Sequence, residues 1–103
     1  MVQTAIKNIV VYTKKNCLYC SKAKALIKGL GFSFTEKNFE TDFKSIEDLF
    51  EDIGKQVRAM PQIKIDGELI GGYNQLIEYF EDRELVNFKG EITNANAGWY
   101  GRR

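Results

Sequence analysis

Cys17 and Cys20 are the only two cysteines of the chain, and Leu18 and Tyr19 alone separate them. Sulfurs three residues apart on the first turn of a helix share one face and can reach each other. Such a pair can cycle between dithiol and disulfide. The first sulfur would also sit among the free N–H groups of a helix start, where positive partial charge favours thiolate over thiol. Thiolate is the attacking species in thiol–disulfide exchange. This chemistry needs a strand to deliver the loop and a helix to hold the sulfurs. Asn8-Ile9-Val10-Val11-Tyr12 supplies an apolar stretch of strand length before the pair. Ala23, Leu26, Ile27 and Leu30 supply an apolar stripe at helical spacing after it.

Two other readings of the pair stay open at this point. Zinc is one, but a structural zinc site takes four Cys or His ligands. The chain has no histidine and no third cysteine, so carboxylates or a second subunit would have to complete it. Inert core cysteines at a chance spacing are the other. The whole-chain numbers narrow the choice. With 103 residues the chain is one domain that can build a core without a structural disulfide. Its net charge of +1 offers no general field for nucleic acid or membrane, and neither is expected as a partner. No apolar run approaches membrane-spanning length, and the first residues lack the apolar core of a signal peptide. A cytoplasmic, reducing location is therefore expected, where a cysteine pair is more often catalytic than structural. The missing histidine removes the usual general base near neutral pH.

The remaining pattern predicts the order β-α-β-α-β-β-α. A first strand covers about 7–12 and a helix about 17–30, with Gly29 and Gly31 as stop signals. Residues from about Ser33 to Phe39 read as a second strand. Ile46, Leu49, Phe50 and Ile53 mark an amphipathic helix that Gly54 closes. Pro61 to Ile65 alternates apolar and polar residues, Asp66-Gly67 is a hairpin turn, and Glu68 to Gly71 returns. Asn74 is expected to cap a last helix carrying Leu76, Ile77 and Phe80. From about Asn87 no period remains, and Trp99 and Tyr100 fall in a tail without assigned role.

Three motifs in this order carry a resemblance: Tyr12-Thr13-Lys14 before the cysteines, Met60-Pro61-Gln62 before the third strand, and Gly71-Gly72 before the last helix. Over about residues 7–83 the chain resembles the dithiol glutaredoxins. The resemblance implies an α/β, thioredoxin-like fold with a four-stranded mixed sheet flanked by helices. The loss of pattern near Asn87 divides the chain into a domain over 1–86 and a tail over 87–103, and the part after Arg83 lies outside the resemblance. The implied activity is glutathione-dependent thiol–disulfide exchange, reducing protein disulfides and glutathione mixed disulfides as a monomer. Glutathione is the implied co-substrate and no metal is expected. Ile70-Gly71-Gly72-Tyr73, with Gln75 through Phe80, most resembles the glutaredoxins of large tailed phages, which implies ribonucleotide reductase as a client. The chain departs from the family pattern at Leu18, where proline is commonest and whose absence sometimes accompanies a bridging iron–sulfur cluster. It departs again at Asn74-Gln75, where acidic residues are usual.

The resemblance assigns roles residue by residue. Cys17 is the attacking thiolate and Cys20 the resolving thiol. Lys14 fits a glutathione-binding lysine beside Cys17, and Arg58 a position that holds the glycine carboxylate. Pro61 is expected to be cis, turning the Met60 N–H and C=O toward an extended peptide. Gly71 and Gly72 let a ligand approach the backbone, and N–H groups around Tyr73 and Asn74 take the γ-glutamyl carboxylate. Tyr12 and Tyr19 are read as walls of the groove, although Tyr12 alone more often belongs to a core. A thioredoxin reduced by a flavoenzyme is the main rival, but Asn16, not tryptophan, precedes Cys17. A non-enzymatic binding module or iron–sulfur carrier is the rival from another class.

Overall fold

A computed structural model describes residues 6–87 and 89–92 of the chain. Its elements run β1 (Ile9–Thr13), α1 (Leu18–Gly29), β2 (Thr35–Asn38), α2 (Phe39–Asp42), α3 (Ile46–Ile53), β3 (Gln62–Ile65), β4 (Glu68–Gly71) and α4 (Tyr73–Asp82). The sheet order is β2-β1-β3-β4. β1 pairs parallel with β2 through the α1 crossover, and antiparallel with β3. β3 and β4 form the expected hairpin. Its turn carries positive φ at both Asp66 and Gly67, the backbone that two-residue hairpins favour. The Asp66 carboxylate accepts the N–H groups of Lys7 and Asn8 at 3.0 and 2.8 Å, which ties the turn to the start of β1.

Period-two alternation on β1 divides the core into two layers. Ile9 and Val11, with Ile63 and Ile65, face α1 and α4 and meet Ala23, Ile27, Leu76 and Phe80. Val10 and Tyr12 face the opposite side, where Leu49 and Ile53 of α3 cover them. Helices thus flank both faces of the mixed sheet, as the resemblance implied.

Three local expectations need correction. The second strand is shorter than 33–39, because a short helix, α2, begins at Phe39. The Asn38 side chain accepts the Glu40 N–H at 2.9 Å, and Asp42 accepts the Asn38 N–H at 2.7 Å. Both bonds draw the chain out of the sheet. Asn74 does not cap the last helix. Gly71 turns through φ +119° and Gly72 is the extended residue before α4, which places Asn74 inside the first turn. With no side-chain oxygen on Gly72, Gln75 reaches back and accepts the Gly72 N–H at 2.9 Å. Tyr12 is core, not groove wall: it is 1% exposed and packs with Leu49 and Ile53.

Beyond α4, Leu85 and Val86 are buried, and Val86 bridges Ile92. Asn87 accepts the Lys89 and Glu91 N–H groups at 2.9 and 3.0 Å. The first residues expected in the tail therefore turn back onto the domain. Trp99 and Tyr100 lie outside the described residues. No helix among the described residues is long and apolar enough to cross a membrane.

Candidate active site

The Cys17 side chain sits at the junction of β1 and α1. Asn16 takes a left-handed φ of +57°, a backbone that asparagine tolerates better than most residues. Cys17 follows in extended conformation as the N-cap of α1, and its Sγ accepts the Cys20 N–H at 3.1 Å. A thiol at this position is bathed in the positive end of the helix, and no acidic residue occupies the first turn to oppose that field. Cys17 and Cys20 are joined in a disulfide, with Cα atoms 5.2 Å apart. Cys20 is 2% exposed, whereas Leu18 and Tyr19 between the two are 69% and 53% exposed. The upstream sulfur is the accessible one and the downstream sulfur is shielded.

The Met60–Pro61 peptide bond is cis, as expected. The Met60 carbonyl oxygen lies 3.7 Å from Cys17 Sγ, so the backbone before β3 directly faces the upstream sulfur. A groove of about 350 Å³ opens beside it, lined by Tyr19, Met60, Pro61, Gly72, Tyr73 and Asn74, and also by Ala59, Gln62 and Gln75. Six residues singled out by the sequence thus converge from three segments distant in the chain. The Tyr19 and Tyr73 rings meet with centroids 5.6 Å apart, and the Lys22 ammonium lies 5.3 Å from the Tyr19 ring centre. These contacts link the first turns of α1 and α4 across one wall of the groove.

Lys14 and Arg58 do not line that groove. They meet at a second, smaller hollow of about 140 Å³, and Met60 and Ala59 border both. Gly71 borders neither, but it is required nearby. A Cβ there would fall 2.9 Å from Gln75 Cγ, with φ already at +119°. Sequence reasoning missed Ala59, Gln62 and the backward reach of Gln75. The last had a legible signal, since glutamine three residues after an N-cap is half of a capping box. Gln62 spends its amide on the Ala59 carbonyl, at 2.9 Å, a contact that no spacing rule announces.

Two polar clusters hold the strands under the site. The Tyr12 hydroxyl donates to Asp52 at 2.7 Å, and Lys37 donates to the same carboxylate oxygen at 2.9 Å. Burial, and then the Asp52 contact, push the Tyr12 hydroxyl well above the usual tyrosine range. The bonds from Tyr12 and then Lys37 hold Asp52 below the usual carboxylate range. In the second cluster the buried Thr13 hydroxyl donates to Glu36 at 2.8 Å, and Lys24 pairs with the same oxygen at 3.1 Å. The Thr13 bond is the main cause that lowers Glu36. Thr13 is the last residue of β1, so this cluster anchors the loop that delivers Cys17.

An accessible cysteine at a helix start, a shielded partner one turn on, and a cis proline beside them define a dithiol oxidoreductase of thioredoxin-like fold. The profile of the glutaredoxin family matches residues 9–70. The chain is 38% identical over 69 residues to glutaredoxin 3 of Escherichia coli K12, covering 67% of this chain and 81% of that protein. It is 33% identical over 92 residues to glutaredoxin-C4 of Arabidopsis thaliana, covering 86% of this chain and 67% of the relative. The solved structure of reduced Escherichia coli glutaredoxin superposes with a TM-score of 0.65 at 28% identity, over 76% of this chain and 98% of that one. A buckwheat glutaredoxin–glutathione complex superposes at 0.61 with 29% identity, over 75% and 71%. The chain belongs to the glutaredoxin family and is a glutaredoxin-type, glutathione-dependent oxidoreductase.

Proposed function

We propose that the protein draws electrons from glutathione and reduces protein disulfides and glutathione mixed disulfides through Cys17 and Cys20. The observation that carries this is the Cys17 sulfur, which accepts an amide N–H at 3.1 Å and faces the Met60 carbonyl at 3.7 Å. The N–H bond stabilises an anionic sulfur, and the approach of the Met60 carbonyl sets that sulfur beside a backbone edge suited to an extended peptide.

The reaction balances in two half-cycles. The Cys17 thiolate attacks one sulfur of a protein disulfide, forms a mixed disulfide with it, and expels the other sulfur as a thiolate that takes a proton. The Cys20 thiolate then attacks the Cys17 sulfur and expels the second client thiolate. The client leaves as a dithiol and the protein holds the Cys17–Cys20 disulfide. In the second half-cycle a glutathione thiolate attacks Cys17 and releases Cys20. A second glutathione takes the first from Cys17, and glutathione disulfide departs with both electrons accounted for. A client already carrying glutathione needs only Cys17, because the second glutathione resolves the mixed disulfide.

The two grooves support the seating of the tripeptide. The Met60 backbone pairs with its cysteine residue. N–H groups at the start of α4, around Tyr73 and Asn74 and freed by Gly72, hold the γ-glutamyl carboxylate. Lys14 and Arg58 hold the glycine carboxylate. Asn74 and Gln75 give the γ-glutamyl end hydrogen bonds without a counter-charge for its ammonium, so that end is held less firmly than an acid there would hold it. We read the chain as acting alone, without metal, in the cytoplasm, over a domain of residues 1–86. The motifs around Gly71-Gly72 and Gln75 favour the tailed-phage subgroup, with ribonucleotide reductase as a client. Steady-state turnover with glutathione and its reductase, set against turnover with thioredoxin reductase, tests the proposal. Rapid turnover in the first system alone is expected, and turnover in the second alone would overturn it.

A further inference from the structure

The second hollow holds more than the tripeptide uses. Lys14 and Arg58 stand at its edge, both exposed, and neither has a carboxylate partner among the described residues. A terminal carboxylate answers those two charges. The rest of the lining is apolar: Phe39, Leu49, Phe50 and Val57 form it, and Ile46, 40% exposed, stands at the rim. The hollow measures about 140 Å³, several times the roughly 30 Å³ share of one water. Glutathione ends in glycine, which has no side chain to place there. An exposed isoleucine and a hollow of that size are left uncovered beside Met60, whose carbonyl faces the Cys17 sulfur at 3.7 Å.

Met60 borders both grooves, so a chain paired with its backbone continues from one into the other. Successive residues of an extended chain advance about 3.3 Å, which brings the residue after the reacting cysteine toward the hollow. We propose that this hollow takes the apolar side chain of the residue that follows the reacting cysteine in a protein substrate, while Lys14 and Arg58 hold a carboxylate next to it. This rests on the seating of glutathione given above and adds the substrate class: segments of the form cysteine, large apolar residue, carboxylate. No acidic residue lines the hollow, so the charge complementarity runs one way. Clients of this form gain contact that glutathione cannot make, which separates protein substrates from the tripeptide that reduces the enzyme.

The test compares mixed disulfides of one chromogenic reporter thiol with γ-Glu-Cys-Gly, γ-Glu-Cys-Leu and γ-Glu-Cys-Leu-amide, using the full chain. Burying most of one leucine side chain predicts kcat/KM about five- to tenfold higher for the leucine peptide than for the glycine one, mainly through KM. Amidation should lower kcat/KM below that of the leucine peptide at least twofold by removing the carboxylate that Lys14 and Arg58 hold, and an amide turned over as well as the acid overturns that part of the inference. Ile46→Ser, at the exposed rim, should reduce the leucine-to-glycine ratio at least twofold. Equal or lower kcat/KM for the leucine peptide overturns the inference, and so does a preference that Ile46→Ser leaves intact. If the glycine peptide itself is not turned over, the glutathione reading fails instead, so the two failures are distinct.

Discussion

The Cys17 sulfur accepts the backbone N–H of Cys20 at 3.1 Å, so under the proposed roles the resolving residue would help to activate the attacking one through its main chain. That bond survives any change of the Cys20 side chain. It predicts a thiolate at Cys17 well below the free-cysteine value of about 8.5. Iodoacetamide alkylation of the reduced protein, followed against pH, should show a half-point below about 7. A half-point near 8.5 would remove the electrostatic basis of the mechanism.

The two cysteines should separate by substrate. Cys17→Ser should abolish both reactions, since Cys20 is buried and cannot replace it. Cys20→Ser should keep at least half of the activity on glutathione mixed disulfides and lose more than about 95% on protein disulfides, consistent with one-sulfur and two-sulfur routes. Equal loss of both activities in Cys20→Ser would argue against this division of labour.

Acid should loosen the scaffold through two carboxylates. Asp52 and Glu36 are held below their ordinary values of 3.8 and 4.5 in the folded chain. A carboxyl depressed on folding adds stability above its ordinary value and loses it as pH falls through the folded value. Unfolding free energy from urea titrations should therefore be level near neutrality and decline below about pH 4.5. Asp52→Asn should make that decline shallower. Both carboxylates are partly exposed, so solvent screens the effect. A wild type equally stable at pH 3 and pH 7 would contradict the assignment.

Alkali should act through Tyr12 with the opposite sign. Its hydroxyl is raised above the ordinary value of 10.0, so its contribution is complete below that value and fades as pH rises beyond it. Tyr12→Phe should cost roughly 1 kcal/mol near neutrality, the net worth of one hydrogen bond, and should weaken the alkaline decline. Guanidinium unfolding monitored by circular dichroism at several pH values measures both.

Gly71→Ala should be the costliest of the glycine changes at the site. Its φ of +119° excludes most side chains, and the new Cβ would meet Gln75 Cγ at 2.9 Å. A loss of about 1–3 kcal/mol is expected, together with weaker glutathione binding as Gln75 is displaced from the Gly72 N–H. Thermal unfolding and isothermal titration with glutathione check the two parts. Unchanged stability would show that the turn relaxes freely.

Much of this molecule was legible because its signals are local. The Cys17–Cys20 spacing, the Asp66-Gly67 turn and the stripes of α1 and α3 each concern residues within one or two turns of one another. Their geometry follows from backbone periods of two and 3.6. The family motifs then named Pro61 and Gly72 as neighbours of the cysteines. Local reasoning failed where two signals competed. Asn74 looked like a cap, but Gly71 and Gly72 had already set the start of α4 two residues earlier. Phe39 looked like strand, but Asn38 and Asp42 bond across it and wind the chain into α2.

The chain by itself determined where the sulfur pair sits and which backbone segments carry it, since a sulfur pair at a strand–helix junction follows from composition and period. Tertiary structure alone decided what surrounds the sulfur. It buried Tyr12 against α3, set the Met60 carbonyl 3.7 Å from Cys17 across a separation of 43 residues, and parted Lys14 and Arg58 from the main groove. Those relations depend on how the sheet twists and how α3 packs on it. They arise from the sum of many weak contacts between distant residues, which no short window of sequence contains.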